Sequence, residues 1–252
     1  STFLITKDGV VVVDTRVTPA EARKVKEAIR KQTKLPILYV INTHYHGDHT
    51  FGNQTFRESH NIIAHENVRR ALEFEAGKEH LEVFKSLKIP GIEDTMVTPP
   101  NIIFRDKMDI YAGEYHLELI HVKGHTDGDL FIYIEALKTL ITGDLIQNKR
   151  IPYMGDAYIE EWIKSINYMG DLNAEIYIPG HGEPAGKPLL IAMKHYLIEL
   201  RRMVENQIKK GSSLKETQDA VRPKLKAKYS NWDKLEWLDG NIARAYREFS
   251  LD

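Results

Sequence analysis

Short apolar runs recur along the first two-thirds of the chain, separated by polar, turn-forming residues. FLIT (3–6), VVVVD (10–14), ILYVIN (37–42) and NIIAH (61–65) are strand-length and rich in β-branched residues. Between the second and third runs Thr18 can cap a helix, Pro19 suits its first position and Glu21 completes a capping box before ARKVKEAIRK, which predicts a helix to about Thr33. A second helix is predicted from about Glu66 through VRRALEFEAGKEHLEVFKSL, interrupted near Gly77 and followed by a Pro/Gly-rich loop over 89–101. Strand patterns return at 102–104, 108–111, 115–122, 130–135 and 139–142, expected to be neighbours and mostly antiparallel. A helix over 157–169 and a strand over 175–179 complete a mixed plan of helices and strands.

The pattern changes after residue 186. Leu189, Met193, Tyr196, Leu197, Leu200, Met203, Val204 and Ile208 recur at steps of three and four, so KPLLIAMKHYLIELRRMVENQIKKG reads as one long amphipathic helix ending at Gly211. Ser213 with Glu216 opens a further short helix, and residues 231–249 a third. Residues 187–252 are thus expected to be a helical appendage packed on a core formed by residues 1–186. Its apolar stripe leaves two uses open, covering that core or pairing two copies into a homo-oligomer.

With 252 residues, 42% of them hydrophobic and 28% charged, the chain matches a folded globular protein and lacks the signature of disorder. Lys plus Arg 35 against Asp plus Glu 36 leaves a net charge of -1, so the overall balance recruits neither nucleic acid nor an anionic membrane. Without a bilayer-length apolar run or a leader, the chain is expected to be soluble. It opens at Ser1 already in a strand pattern, which suggests residues upstream and leaves the compartment unread. The absence of cysteine removes disulfides, thiolate ligands and thiol nucleophiles, so metal chemistry here must use nitrogen and oxygen.

Such donors crowd into NTHYHGDHTFGN (42–53), where His44, His46, Asp48 and His49 follow a predicted strand. The i, i+2 spacing turns the His44 and His46 imidazoles to one side if the backbone stays extended, with Tyr45 turned away toward the entrance. Gly47 lets the chain turn so that Asp48 and His49 face a second point nearby, a pattern suited to two metals rather than one. His125 in KGHTDGD, Asp144 in LITGDL and His181 in IPGHGEP each follow a strand-like run and sit beside glycine. Arg150, Tyr153 and Met154, in the loop after Asp144, are candidates for lining a substrate pocket. His60, His65, His80, His116, His121 and His195 lack ligand spacing and are assigned to surface or packing.

THYHGDH, GHTDGD, TGD and PGHG, with Asp14 ending VVVVD, resemble the five-motif pattern of the metallo-β-lactamase superfamily over residues 1 to about 186. The resemblance implies an α+β fold, a four-layer αββα sandwich with a dinuclear site at one edge. It implies that His44, His46 and His125 hold one metal and Asp48, His49 and His181 the other, with Asp144 bridging and Asp14 bracing the ligand loop. β-Lactamases of this fold usually carry cysteine or serine where this chain has Asp144, so the resemblance leans toward the glyoxalase II-like and broader hydrolase branch, including hydrolases of the quinoprotein relay-system type.

A set of imidazoles and carboxylates suits two zinc ions per chain and also accepts iron or manganese. The chemistry expected is hydrolysis of an ester, thioester, lactone or amide in a small-molecule substrate by a metal-bound hydroxide, with Asp48 as proton shuttle. Three alternatives stand beside it: β-lactam hydrolysis, iron-dependent redox or persulfide-oxidising chemistry, and phosphodiesterase or nuclease activity.

Overall fold

The structure, a computed structural model, describes residues 1–59 and 61–250; His60 lies outside the described residues. The chain divides into two compact units, one of residues 1–121 and 128–137, the other of residues 122–127 and from 138 onward.

The first unit opens with β1 (Thr2–Ile5) and β2 (Val10–Val13), paired antiparallel, and α1 (Pro19–Gln32). The Thr18 side chain accepts a hydrogen bond from the Glu21 N–H, so the expected cap is realised, but the Glu21 carboxylate pairs with Arg16 and does not close the expected capping box. β3 (Ile37–Ile41), a single-turn helix α2 (Gly47–Thr50), β4 (Ile62–His65), α3 (Glu66–Leu72), α4 (Phe74–Ser86) and β5 (Ile102–Phe104) follow. They give a five-stranded sheet of order β1-β2-β3-β4-β5 in which β2 to β5 run parallel. All four residues of β2 are buried, as a parallel strand covered on both faces requires. β6 (Lys107–Ala112), β7 (Tyr115–His121) and β8 (Leu130–Ile134) form an antiparallel meander in the same unit.

The break expected near Gly77 falls earlier. Glu73 is extended and Phe74 adopts a left-handed φ of 56°, which separates α3 from α4. Gly77 lies inside α4, buried where a Cβ would stand 2.3 Å from the Leu72 carbonyl oxygen, so its role is to let α4 fold back closely onto the end of α3.

In the second unit β9 (Thr139–Gln147) runs nine residues, all buried, well beyond the 139–142 expected. It is followed by α5 (Ile159–Asp171) and β10 (Ile176–His181). β10 pairs with β9 in parallel, and the register shifts around Pro179. The tail supplies α6 (Pro188–Ile208), α7 (Leu214–Lys228) and α8 (Leu238–Phe249). Leu189, Leu190, Met193, Tyr196, Leu197, Leu200 and Val204 form the buried stripe of α6. α7 runs 15 residues despite Pro223, and α8 starts at Leu238 rather than 231 because a 3-10 turn over Leu235–Trp237 intervenes. Asn241 of α8 donates both to the Tyr196 hydroxyl and to the Pro152 carbonyl, tying the tail to the loop after β9.

The chain is therefore of the α+β class, with two mixed five-stranded sheets, helices and a helical C-terminal region. Among the described residues no helix is long and apolar enough to cross a membrane.

Candidate metal centre

β3 ends at Ile41, so the extended backbone does not continue through His46; residues 42–46 form a loop that leads into α2. His44 and His46 nevertheless converge, with His44 Nε2 3.2 Å from His46 Nδ1. His44, His46 and His49 are 1%, 7% and 3% exposed, and buried imidazoles in such numbers require defined partners. Asp48 is more open and stands with Oδ2 3.5 Å from His49 Nε2. The asparagines that bracket the loop, Asn42 and Asn53, exchange reciprocal amide hydrogen bonds of 3.0 and 2.9 Å and clamp its two ends together.

Asp14 fixes which imidazole nitrogens face inward. Its carboxylate accepts from the Thr43 N–H and the Thr43 hydroxyl, both at 2.8 Å, and from His49 Nδ1 at 2.7 Å. A carboxylate only accepts, so the His49 proton sits on Nδ1 and Nε2 is left as a lone pair. The Thr43 hydroxyl has given its one proton to Asp14, so in its 3.1 Å contact with His44 Nδ1 it accepts, and His44 too carries its proton on Nδ1. One buried carboxylate thus sets two imidazoles in the tautomer a metal ligand needs. Asp14 does this from a left-handed backbone, φ 59°, a conformation Asp tolerates better than most residues.

The second unit brings together His125, Asp144 and His181. Asp144 Oδ2 lies 3.5 Å from His125 Nε2 and 3.4 Å from His181 Nε2. His125, fully buried, packs edge-on against Trp162 of α5 at 5.5 Å, and the Trp162 indole N–H donates to the Leu145 carbonyl. The backbone around His125 is held by α5 as well, through Tyr158 N–H to the Gly124 carbonyl and the Ser165 hydroxyl to the Lys123 carbonyl. Gly180 is required by the site itself, because a Cβ there would stand 1.9 Å from Asp144 Oδ1.

These spacings fit metal coordination. Two donors held about 2.0–2.1 Å from one tetrahedral ion lie roughly 3.3–3.4 Å apart. The four donor separations, 3.2, 3.5, 3.5 and 3.4 Å, cluster around that value. Among the described residues, His44, His46, Asp48 and His49 of the first unit and His125, Asp144 and His181 of the second could each offer one ligand atom to a metal ion. With nitrogen and oxygen donors alone, the set suits zinc and also iron or manganese.

The other candidates from sequence fare differently. Tyr45 packs edge-on against His46 and His80 and joins the apolar cluster around Phe51 and Leu81. Met154 is fully buried and offers no surface to a substrate, so it is a packing residue and not a pocket wall. Tyr153 is 45% exposed, and the Arg150 guanidinium lies 5.0 Å from the centre of the Trp237 ring. His65 and His121 stack on each other, His116 pairs with Asp109, and His195 is exposed. His80 packs against Tyr45, Phe51 and Phe84, as its assignment to surface or packing expected, and beyond that its Nε2 accepts from the Gly47 N–H at 3.1 Å, bracing the turn between His46 and Asp48. No local signal marked His80, Trp162 or Thr43, because each acts on a partner brought near by the fold or through a hydrogen bond invisible in sequence.

The comparisons with known proteins agree with this geometry. Residues 1–181 match the family model of the metallo-beta-lactamase superfamily. The chain is 27% identical over 196 residues to the metallo-beta-lactamase type 2 of Bacillus cereus, covering 75% of this chain and 68% of that one. It is 20% identical over 212 residues to the linear primary-alkylsulfatase of a Pseudomonas species, covering 70% of this chain and 40% of the relative. A solved metallo-beta-lactamase from Pontibacter korlensis shares the fold with a TM-score of 0.64 at 20% identity, over 77% of this chain and 85% of that one. The chain belongs to the metallo-beta-lactamase superfamily and, by that membership, is a metallo-hydrolase.

Proposed function

We propose that the chain is a dinuclear zinc hydrolase that cleaves an ester, thioester, lactone or amide bond in a small-molecule substrate. The observation that carries this reading is the set of donor separations, which matches the edges of zinc coordination polyhedra and not the shorter contacts of ordinary carboxylate–imidazole pairs. Two bound zinc ions would supply an activated water and polarise the scissile carbonyl. The chain's own groups do the rest. His44 and His49 present unprotonated Nε2 atoms because Asp14 and Thr43 hold their protons on the far side. Asp48, about a third exposed, can take up a proton and pass it to the leaving group. Residues 1–186 form the catalytic domain in this reading and residues 187–252 its helical extension.

A second reading, β-lactam hydrolysis, is favoured by the named activity of the Bacillus cereus relative. Metal content by mass spectrometry on protein purified without added metal, followed by assays on esters, thioesters, lactones and nitrocefin, tests both. About two zinc ions per chain with carbonyl hydrolysis is expected. Nitrocefin turnover alone would move the assignment to the second reading, and iron near one per chain without hydrolysis would overturn both.

A further inference from the structure

Gln147 is left unexplained by the ligand pattern. It ends β9, three residues beyond Asp144, and is 1% exposed. Its Nε2 donates to Asp144 Oδ2 at 2.9 Å. That oxygen is the one that stands 3.5 Å from His125 Nε2 and 3.4 Å from His181 Nε2. The other end of the amide, Oε1, is buried and accepts no hydrogen bond among the described residues. A carboxylate has no proton to give, so the NH₂ end must be the one that faces Asp144.

Packing does not account for glutamine here. Leaving an amide oxygen buried and unsatisfied costs about 1–3 kcal/mol, at least as much as one hydrogen bond typically returns. Methionine would fill nearly the same volume without that penalty. The feature glutamine has and methionine lacks is a donor aimed at Asp144.

We infer that Gln147 is a positioning residue for Asp144. Its N–H fixes the rotation of the carboxylate so that Oδ2 stays between the His125 and His181 imidazoles, and it withdraws electron density from the oxygen shared by both. The inference rests on the reading of Asp144 as the bridging ligand. Partners of this kind, which orient a ligand without touching the metal, typically change metal affinity by about 10–100-fold when removed.

The test compares wild-type protein with Gln147→Met and Gln147→Glu, measuring zinc affinity against a chromophoric chelator, the visible absorption of the cobalt(II) form and thermal unfolding of the apo protein. Gln147→Met is expected to bind zinc about 10–100-fold more weakly and to shift the cobalt bands, with the apo midpoint within about 3 °C of wild type or above it. Gln147→Glu, which replaces the donor with a second negative charge, should shift the bands further. Wild-type affinity and an unaltered cobalt spectrum in both variants would overturn the inference. So would an affinity loss matched by an equally large fall in apo stability, the mark of a purely structural role. Failure of the wild-type protein to bind metal would instead overturn the ligand reading of Asp144 on which the inference stands.

Discussion

The sharpest test of the ligand geometry is Gly180→Ala, because the added methyl has no room that does not belong to the site. Built on the Gly180 backbone, a Cβ stands 1.9 Å from Asp144 Oδ1, 2.8 Å from the Gly143 carbonyl carbon and 2.9 Å from Asp144 N. Ordinary contact begins at 3.4 Å, so the carboxylate oxygen must retreat by 1.5 Å, the difference between those two distances. The backbone atoms of Gly143 and Asp144 cannot rotate away as a side chain can, and the parallel pairing of Pro179 with Gly143 must loosen as well. Overpacking of this kind costs about 1–3 kcal/mol, or roughly 2–10 °C of midpoint for a chain this size. The consequence for metal is larger. Ligand distances tolerate only about 0.2 Å, so on the proposed reading of Asp144 as a metal ligand a shift of this size removes it from the coordination sphere, with affinity expected to fall by well over 10-fold. Chelator competition for zinc and thermal unfolding of the apo protein measure the two effects separately. Gly240→Ala provides the control of opposite sign: nothing lies within 4 Å of its Cβ and it sits in α8, so alanine should stabilise by about 0.5–1 kcal/mol. Zinc affinity at the wild-type level in Gly180→Ala would refute the placement of Asp144 against β10.

Asp14→Asn keeps a residue that tolerates left-handed backbone but removes the charge that holds protons on His49 and, through Thr43, on His44. Zinc affinity is expected to fall about 10–100-fold with little change in fold, and unaltered affinity in chelator competition would show that the tautomer chain is not needed. His46→Ala and Asp48→Asn should each abolish hydrolysis while circular dichroism stays at wild type; full turnover in either would contradict its assigned role. Burial holds the Tyr196 hydroxyl well above the ordinary tyrosine value of 10.0, although the Asn241 amide that donates to it pulls the other way. The unfolded chain releases this proton near 10 and the folded one does not, so Tyr196 contributes stability below that pH that is lost as pH rises above it, by about 1.4 kcal/mol per unit. Midpoints measured from pH 8 to 11 should decline more steeply in wild type than in Tyr196→Phe, and parallel curves would exclude Tyr196 as the source.

What could be read in advance follows from how far apart in the chain the interacting groups lie. His44, His46, Asp48 and His49 declare themselves because four donors fall within six residues. The start of α1 declares itself because Thr18, Pro19 and Glu21 act on one another within a single helical turn. The break before Phe74 could not be read, since it depends on one backbone angle in a segment of ordinary helix formers, and Gly77, the visible suspect, serves close packing instead. The parallel pairing of β9 with β10 was likewise hidden, because strand direction is decided by the path through α5 and not by either strand's composition.

The supporting groups were the least legible, and the reason bears on how the site works. Asp14 reaches Thr43 and His49 across about thirty residues, and His80 meets Gly47 across a similar gap. Trp162 reaches His125, which lies in the loop between β7 and β8, from α5. His80 and Trp162 carry no signal in the sequence and Asp14 is marked by the family resemblance alone, yet each removes a freedom from a candidate ligand: Asp14 a tautomer, His80 a turn, Trp162 a ring orientation. The cost of holding them appears in the same place, in the left-handed backbone of Asp14. Strain gathered around buried ligands is stable only if something offsets it, and a bound metal, which stabilises the folded chain over the unfolded one, is the agent the donor set is built to accept. The apo protein should therefore gain stability on zinc addition in proportion to affinity. Variants that relieve the strain without touching a ligand should raise apo stability while narrowing that gain.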